Sequence, residues 1–171
     1  PAPAKAGNRF VTNFVREPDP ETMTTTHQQK MHSRTCFGCG CENEHGLRIA
    51  SLWEGEESVC CWTPEAFHTG PPGFLYGGIA ASLIDCHSVC TAVADANRSA
   101  GRDATFDPAI SYVTGTMNLR YLKPTPMQTV TLRARIVARE GRKTQVLTSL
   151  YVGELECVRG EVLAVRIDPS S

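Results

Sequence analysis

Hydrophobic and polar positions follow two different periods along this chain. From Gly77 to Asn97 apolar and small residues recur at about 100° per residue, and nothing interrupts them for about twenty residues. That spacing predicts a helix about 30 Å long. The stretch before it, His68-Thr-Gly-Pro-Pro-Gly73, holds two prolines and two glycines, so no regular period survives there. Elsewhere the period is two. Residues 47–53 and 58–63 read as strands around the turn Glu54-Gly-Glu-Glu57. Residues 110–123 read as a long strand stopped by Pro124 and Pro126. Residues 130–139 alternate Val130, Leu132, Ala134, Ile136 and Ala138 with Thr131, Arg133, Arg135 and Arg139, a strand with one wet face. Residues 144–152 and 157–167 follow as strands after the turn Glu140-Gly-Arg-Lys143. One long helix followed by an antiparallel meander of about five to six strands in all is an α+β pattern, without an internal repeat or a nucleotide-binding glycine loop.

The helix divides into two faces. Ile79, Ala80, Leu83, Cys86, His87, Cys90 and Ala94 form an apolar side. Gly78, Ala81, Asp85, Ser88, Val89, Ala92 and Ala96 form a side of small residues around one carboxylate. A helix apolar on one side and small on the other is expected to be buried all round. Asp85 is the only charge in its middle, and buried aspartates are paired or functional. A structural partner and a catalytic role therefore compete for Asp85. The glycine pair favours the second, because Gly77 and Gly78 leave backbone N–H groups open at the positive end of the helix. His87 falls on the far side from Asp85 and reads as a core histidine.

Three motifs occur in order. Tyr76-Gly-Gly-Ile-Ala-Ala-Ser-Leu-Ile-Asp85 resembles the helix-opening motif of PaaI-like hotdog thioesterases, His-Gly-Gly with an acid seven residues after the second glycine. Cys36-Phe-Gly-Cys-Gly-Cys-Glu-Asn-Glu-His-Gly-Leu47 is similar to the Cys-Phe-x-Cys-Gly…Asn…Gly-Leu opening of many members. Thr116-Met-Asn-Leu-Arg-Tyr-Leu-Lys-Pro-Thr-Pro126 is similar to the strand after the family's helix. The resemblance covers roughly residues 35–167. It implies a hotdog fold, in which an antiparallel sheet wraps the long helix and two protomers share active sites, as a homodimer or a tetramer of dimers.

The resemblance also implies roles. A thioester carbonyl would meet the N–H of Gly78 or Gly77, and Asp85 of the partner protomer would act as general base or direct nucleophile. Thr114 would position water near Asp85. Tyr112 and Asn118 share the facing parity of Thr114 on an uninterrupted strand. Arg120, Lys123, Arg142 and Lys143 would meet coenzyme A phosphates or simply form a solvated face. Two departures stand out: Tyr76 replaces the usual His, and Gly70 replaces an upstream Asn or Asp, with His68 close enough in sequence to substitute. The expected activity is acyl-CoA thioester hydrolysis without cofactor. The alternatives are a non-hydrolytic acyl-thioester binding protein with a degenerate site, and a hotdog dehydratase, disfavoured because the helix lacks the histidine of that chemistry.

Composition narrows the picture further. With 171 residues and a net charge of −1, the chain suits a single domain with no basic surface for nucleic acid. No apolar run approaches a membrane span. Residues 1–34 read as an N-terminal extension, with short helices over 8–16 and from Pro20, and 35–171 as the domain. The eight cysteines do not have the layout of a disulfide scaffold, and reduced thiols in a cytoplasmic protein are expected. Cys36-x2-Cys39-x-Cys41, with His32 and His45 nearby, raises a zinc reading. No second Cys-x2-Cys pair supplies a fourth ligand, so no metal is expected.

Overall fold

The computed structural model describes residues 25–168. Six antiparallel strands form one sheet: β1 (Ser51–Glu54), β2 (Glu57–Trp62), β3 (Ser111–Tyr121), β4 (Val130–Glu140), β5 (Lys143–Val152) and β6 (Leu155–Ile167), in the order β1-β2-β4-β5-β6-β3. Between β2 and β3 runs the long helix, Gly77–Ser99, here α2; a short α1 spans His27–Lys30. The expected elements are all present. The readings at 8–16 and at Pro20 lie outside the described residues. Residues 47–50 fall short of β1 because their backbone turns to another partner: Leu47 N–H donates to Phe37 O and Ile49 N–H to Gly38 O.

Helix α2 packs against β3, β4, β5 and β6. Leu83, Ile84 and Cys90 are fully buried, together with Leu132, Leu150, Val158 and Val162 from the sheet. Each such Leu, Ile or Val contributes about 1.5–3 kcal/mol relative to exposure. Ile84 packs directly onto Gly160 of β6, where a Cβ would lie 2.5 Å from Ile84 Cγ2. The helix is long and apolar enough to cross a membrane, but 56% of its apolar window is buried in the protein, as befits a core helix. The two expected faces need correction. Ser88 and Ala92 belong to the sheet-facing side, fully buried, with Ser88 bonded to Thr148 at 2.7 Å. Cys86 belongs instead to the opposite, partly open side with Asp85 and Val89.

Two bulges also correct the strand parities. In β3, Thr114 pairs with Ala164 and Thr116 with Leu163, leaving Gly115 as the extra residue. Tyr112 and Thr114 face the helix before the bulge. Met117, Leu119 and Tyr121 face it afterwards, so Asn118 lies on the outer face and does not share the parity of Thr114. In β4 the bulge falls at Val137, between Ile136 and Ala138. It turns Arg139 to the helix side, where its guanidinium makes a two-pronged ion pair with Asp95 at 2.7 and 2.6 Å. Arg139 is therefore not part of the wet face. Extra residues of this kind bend a strand and re-aim the side chains beyond them.

The segment before β1 is tied into the body. Gln28 is buried, its Oε1 accepts from Ser51 N–H at 2.8 Å, and its Nε2 donates to Ser51 Oγ at 2.9 Å. Ser51 Oγ also bonds His87 Nδ1 at 2.9 Å, and His87 Nε2 meets Ser58 O at 3.0 Å. The buried chain of bonds fixes one orientation of His87, whose pKa burial lowers to about 4. His87 is thus a core histidine.

Candidate active site

The N-terminus of α2 is built by the glycine pair. Tyr76 is the N-cap and offers no side-chain cap. Its carbonyl accepts from Ile79 and Ala80 N–H, while the N–H groups of Gly77 and Gly78 have no partner among the described residues. Two tyrosines frame these amides. Tyr121 OH donates to Gly77 O at 2.9 Å, and the Tyr76 ring lies over Gly78, so that a Cβ there would sit 2.5 Å from Tyr76 Cε1. A cavity of about 490 Å³ opens beside Gly77, lined also by Phe74, Leu75, Tyr121, Leu122 and Lys123.

Two turns further on, Asp85 is half-buried. Thr114 Oγ1 donates to its Oδ1. No Lys, Arg or His among the described residues pairs with it. Asp85 and Thr114 line a second cavity of about 420 Å³, shared with Cys36, Cys39, Cys86 and Val89. A lone carboxylate held by one hydroxyl and facing an apolar cavity can accept a proton or attack an electrophile.

The remaining expected residues are not brought together. His68 turns its ring to Trp62 at 5.0 Å, and its Nδ1 accepts from Glu65 N–H. Only its backbone, which accepts from Tyr76 N–H, supports the helix start. Gly70 lies against the Tyr76 backbone, where a Cβ would come within 3.1 Å of Tyr76 Cα. Asn118 and Arg120 are exposed on the outer face of β3, opposite Glu161 and Arg159. Arg142 bonds Arg166 O and pairs with Asp168, and Lys143 lies level with Val165 and hence with Val113. From Val113 to Arg120 is about 23 Å along the strand. The four cations therefore cannot meet one set of phosphates within one copy.

Three features escaped the sequence reading: the Asp95–Arg139 pair, the Tyr121 contact to the helix start, and the meeting of Cys36 and Cys39 with Cys86. The first arises from a bulge with no glycine to mark it. The third joins residues fifty apart, and only the i, i+4 spacing of Cys86 and Cys90 hinted at it.

β3 is one edge of the sheet and carries exposed apolar side chains, with Val113 44% and Tyr121 55% exposed. An uncovered edge of this length is a ready template for another strand.

Comparison with known proteins agrees with this architecture. The profile of the thioesterase superfamily matches residues 72–162. A thioesterase superfamily protein from Shewanella loihica PV-4 is 37% identical, with a TM-score of 0.58 over 73% of this chain and 96% of that one. A Haemophilus influenzae thioesterase, 16% identical, has a TM-score of 0.61 over 75% of this chain and 85% of its own. A Streptococcus mutans UA159 protein bound to acetyl CoA, 15% identical, has a TM-score of 0.57 over 70% and 89%. These last two share the fold. No curated protein matches significantly. With its long helix on a six-stranded antiparallel sheet, the chain belongs to the thioesterase superfamily and has the hotdog fold.

Proposed function

We propose that the protein hydrolyses acyl-CoA thioesters at a site shared by two copies of the chain. One observation carries this reading. Gly78 and Asp85 sit on one helix, seven residues or about 10 Å apart. An oxyanion donor and a base or nucleophile must each come within about 3 Å of the same reacting group. One copy cannot satisfy both, and its two halves open into separate cavities. Pairing two copies along the exposed β3 edge brings Gly78 of one towards Asp85 of the other.

The carbonyl oxygen of the thioester accepts from Gly78 N–H, where negative charge develops and the helix dipole favours it. As base, the Asp85 carboxylate takes a proton from water while the water oxygen attacks the carbonyl carbon. The C–S bond then breaks, and the leaving thiolate receives the proton. As nucleophile, the Asp85 carboxylate attacks the carbonyl carbon, the C–S bond breaks and the thiolate leaves, taking a proton from solvent. Water then opens the acyl anhydride to the free acid and the Asp85 carboxylate. Thr114 orients the carboxylate through Oδ1 in either route and leaves Oδ2 for the chemistry. Lys123, beside Gly77, is the cation placed to meet an anionic part of the substrate at the helix start.

A second reading, non-hydrolytic binding of an acyl thioester, draws support from the Tyr76 ring over Gly78. A panel of acyl-CoA esters assayed for thiol release, beside direct binding of the same esters, distinguishes the two. Release that disappears in Asp85→Asn supports hydrolysis. Binding without release by the wild type removes it.

A further inference from the structure

Outside the proposed chemistry, the most concentrated group of reactive side chains is a cluster of cysteines beneath the Asp85 cavity. The sulfurs of Cys36, Cys39 and Cys86 all lie within 4.8 Å of one another. Cys36 Sγ and Cys86 Sγ are 3.9 Å apart. Zn–S bonds of about 2.3 Å around a tetrahedron put neighbouring sulfurs about 3.8 Å apart. The observed pair already has that spacing, and the longer separations need to close by no more than about 1 Å.

A fourth sulfur is at hand. Cys90 is fully buried one turn beyond Cys86 on the same face of α2, although its sulfur lies outside the 4.8 Å group of the other three. Cys36-x2-Cys39 from the loop thus faces Cys86-x3-Cys90 from the helix. The fourth ligand that linear spacing did not reveal comes from the fold. All eight cysteines are free thiols.

The backbone is shaped for this contact. A Cβ at Gly38 would lie 2.3 Å from Cys86 Sγ, so only glycine lets the 36–39 turn sit on that sulfur. A Cβ at Gly40 would lie 2.5 Å from both Cys36 N and Arg34 O, so glycine is needed again just after the second cysteine. The turn is closed by Gly40 N–H to Cys36 O at 2.9 Å. Cys41 and His45, which share the same stretch of sequence, are not in the cluster.

We propose that Cys36, Cys39 and Cys86, with Cys90 at the fourth corner, bind one thiophilic metal ion of the zinc(II) type. The ion clips the 36–40 turn to α2 beside Asp85. Its role is structural, as expected of a closed all-sulfur site, and it stands whether or not the protein hydrolyses thioesters.

The test uses the full chain, purified in reductant without added metal and then titrated with zinc(II) or cobalt(II). One ion per chain is expected, with cobalt giving thiolate charge-transfer and tetrahedral d–d bands. Zinc is expected to protect Cys36, Cys39 and Cys86 from alkylation in the wild type, and a chelator to expose them. Cys39→Ser and Cys86→Ser should each weaken zinc at least about a hundredfold, and Gly38→Ala, which keeps every thiol, about tenfold. Cys41→Ser and Cys61→Ser should bind as the wild type does. A folded, reduced wild-type protein that takes up neither ion overturns the proposal. So does alkylation that zinc leaves unchanged, or zinc bound equally well by Cys39→Ser.

Discussion

The two sides of α2 treat their polar groups in opposite ways. On the side facing the sheet each is matched. Asp95 is gripped by Arg139, Ser88 by Thr148, and His87 by Ser51 and Ser58. On the open side Asp85 has one hydroxyl and no cation, above a cavity. Two aspartates ten residues apart on one helix thus differ in whether their carboxylates are already matched by a cation. Asp95 is satisfied, so its carboxylate has nothing left to offer. Asp85 is held in place but not neutralised, which is the condition a base or nucleophile requires.

The sharpest way to break this contrast is to neutralise the open carboxylate. Asp85→Asn is expected to lower thioester turnover by about 10²–10⁴-fold, with the melting temperature within a few degrees of wild type. Steady-state kinetics and calorimetry on one preparation decide it. A destabilised protein whose residual activity tracks its folded fraction would place Asp85 in the structural class instead.

Acid should attack the buried histidines, His87 on the matched side and His27 on α1, whose ring nitrogens have no partner among the described residues. Burial lowers the pKa of His87 to about 4 and of His27 to about 3, against about 6.5 unfolded. The unfolded chain therefore binds more protons throughout that window. Stability is full above about pH 6.5 and is lost as the pH falls towards 3, by about 3 kcal/mol for His87 alone. Urea melts at pH 7 and pH 4.5 measure the slope, and His87→Gln should flatten it. An unchanged slope in that variant would refute the assignment.

Arg139→Ala removes the partner of Asp95. We expect a loss of about 1–2 kcal/mol, since the cation is exposed but the carboxylate is not. That corresponds to a fall of about 2–8 °C in melting temperature for a chain of this size. Turnover should be unchanged at a temperature where the variant is folded. An activity loss comparable to that of Asp85→Asn would erase the distinction between the two aspartates.

The smallest effect concerns orientation. Thr114→Val keeps shape but loses the bond to Asp85, so turnover should fall about two- to tenfold with stability kept. If kcat is untouched, Thr114 is a neighbour and no more.

Much of this contrast is legible in the residues alone. The period of α2 and the alternation of the strands placed the long helix and the six strands to within a few residues. The small-residue face and the glycine pair singled out Asp85, and the family resemblance placed Thr114 near it. The helix faces were less legible, because Ser88 and Ala92 look as suited to a small-residue surface as to a close-packed sheet. Parity failed at the bulges. Gly115 within a strand is a recognisable signal, whereas Val137 is among the best strand formers and gives none. Whether His68 and the four cations gather at one place was not legible, for a different reason. Their positions depend on where loops and strand ends fall in space, which periodicity does not encode.

The bonds of Gln28 set a lower limit on how far the chain can be shortened. A version beginning at residue 35 would still contain the six strands, α2 and the whole of residues 72–162. It would leave Ser51 N–H, buried in the first strand, without its acceptor, and Ser51 Oγ without one of its donors. An unsatisfied buried donor costs about 1–3 kcal/mol, and the side chain of Gln28 would leave a hole next to His87. The smallest piece that folds well therefore begins upstream of Thr26, the residue that caps the turn carrying Gln28. Recognisable kinship begins later in the sequence than physical self-sufficiency does.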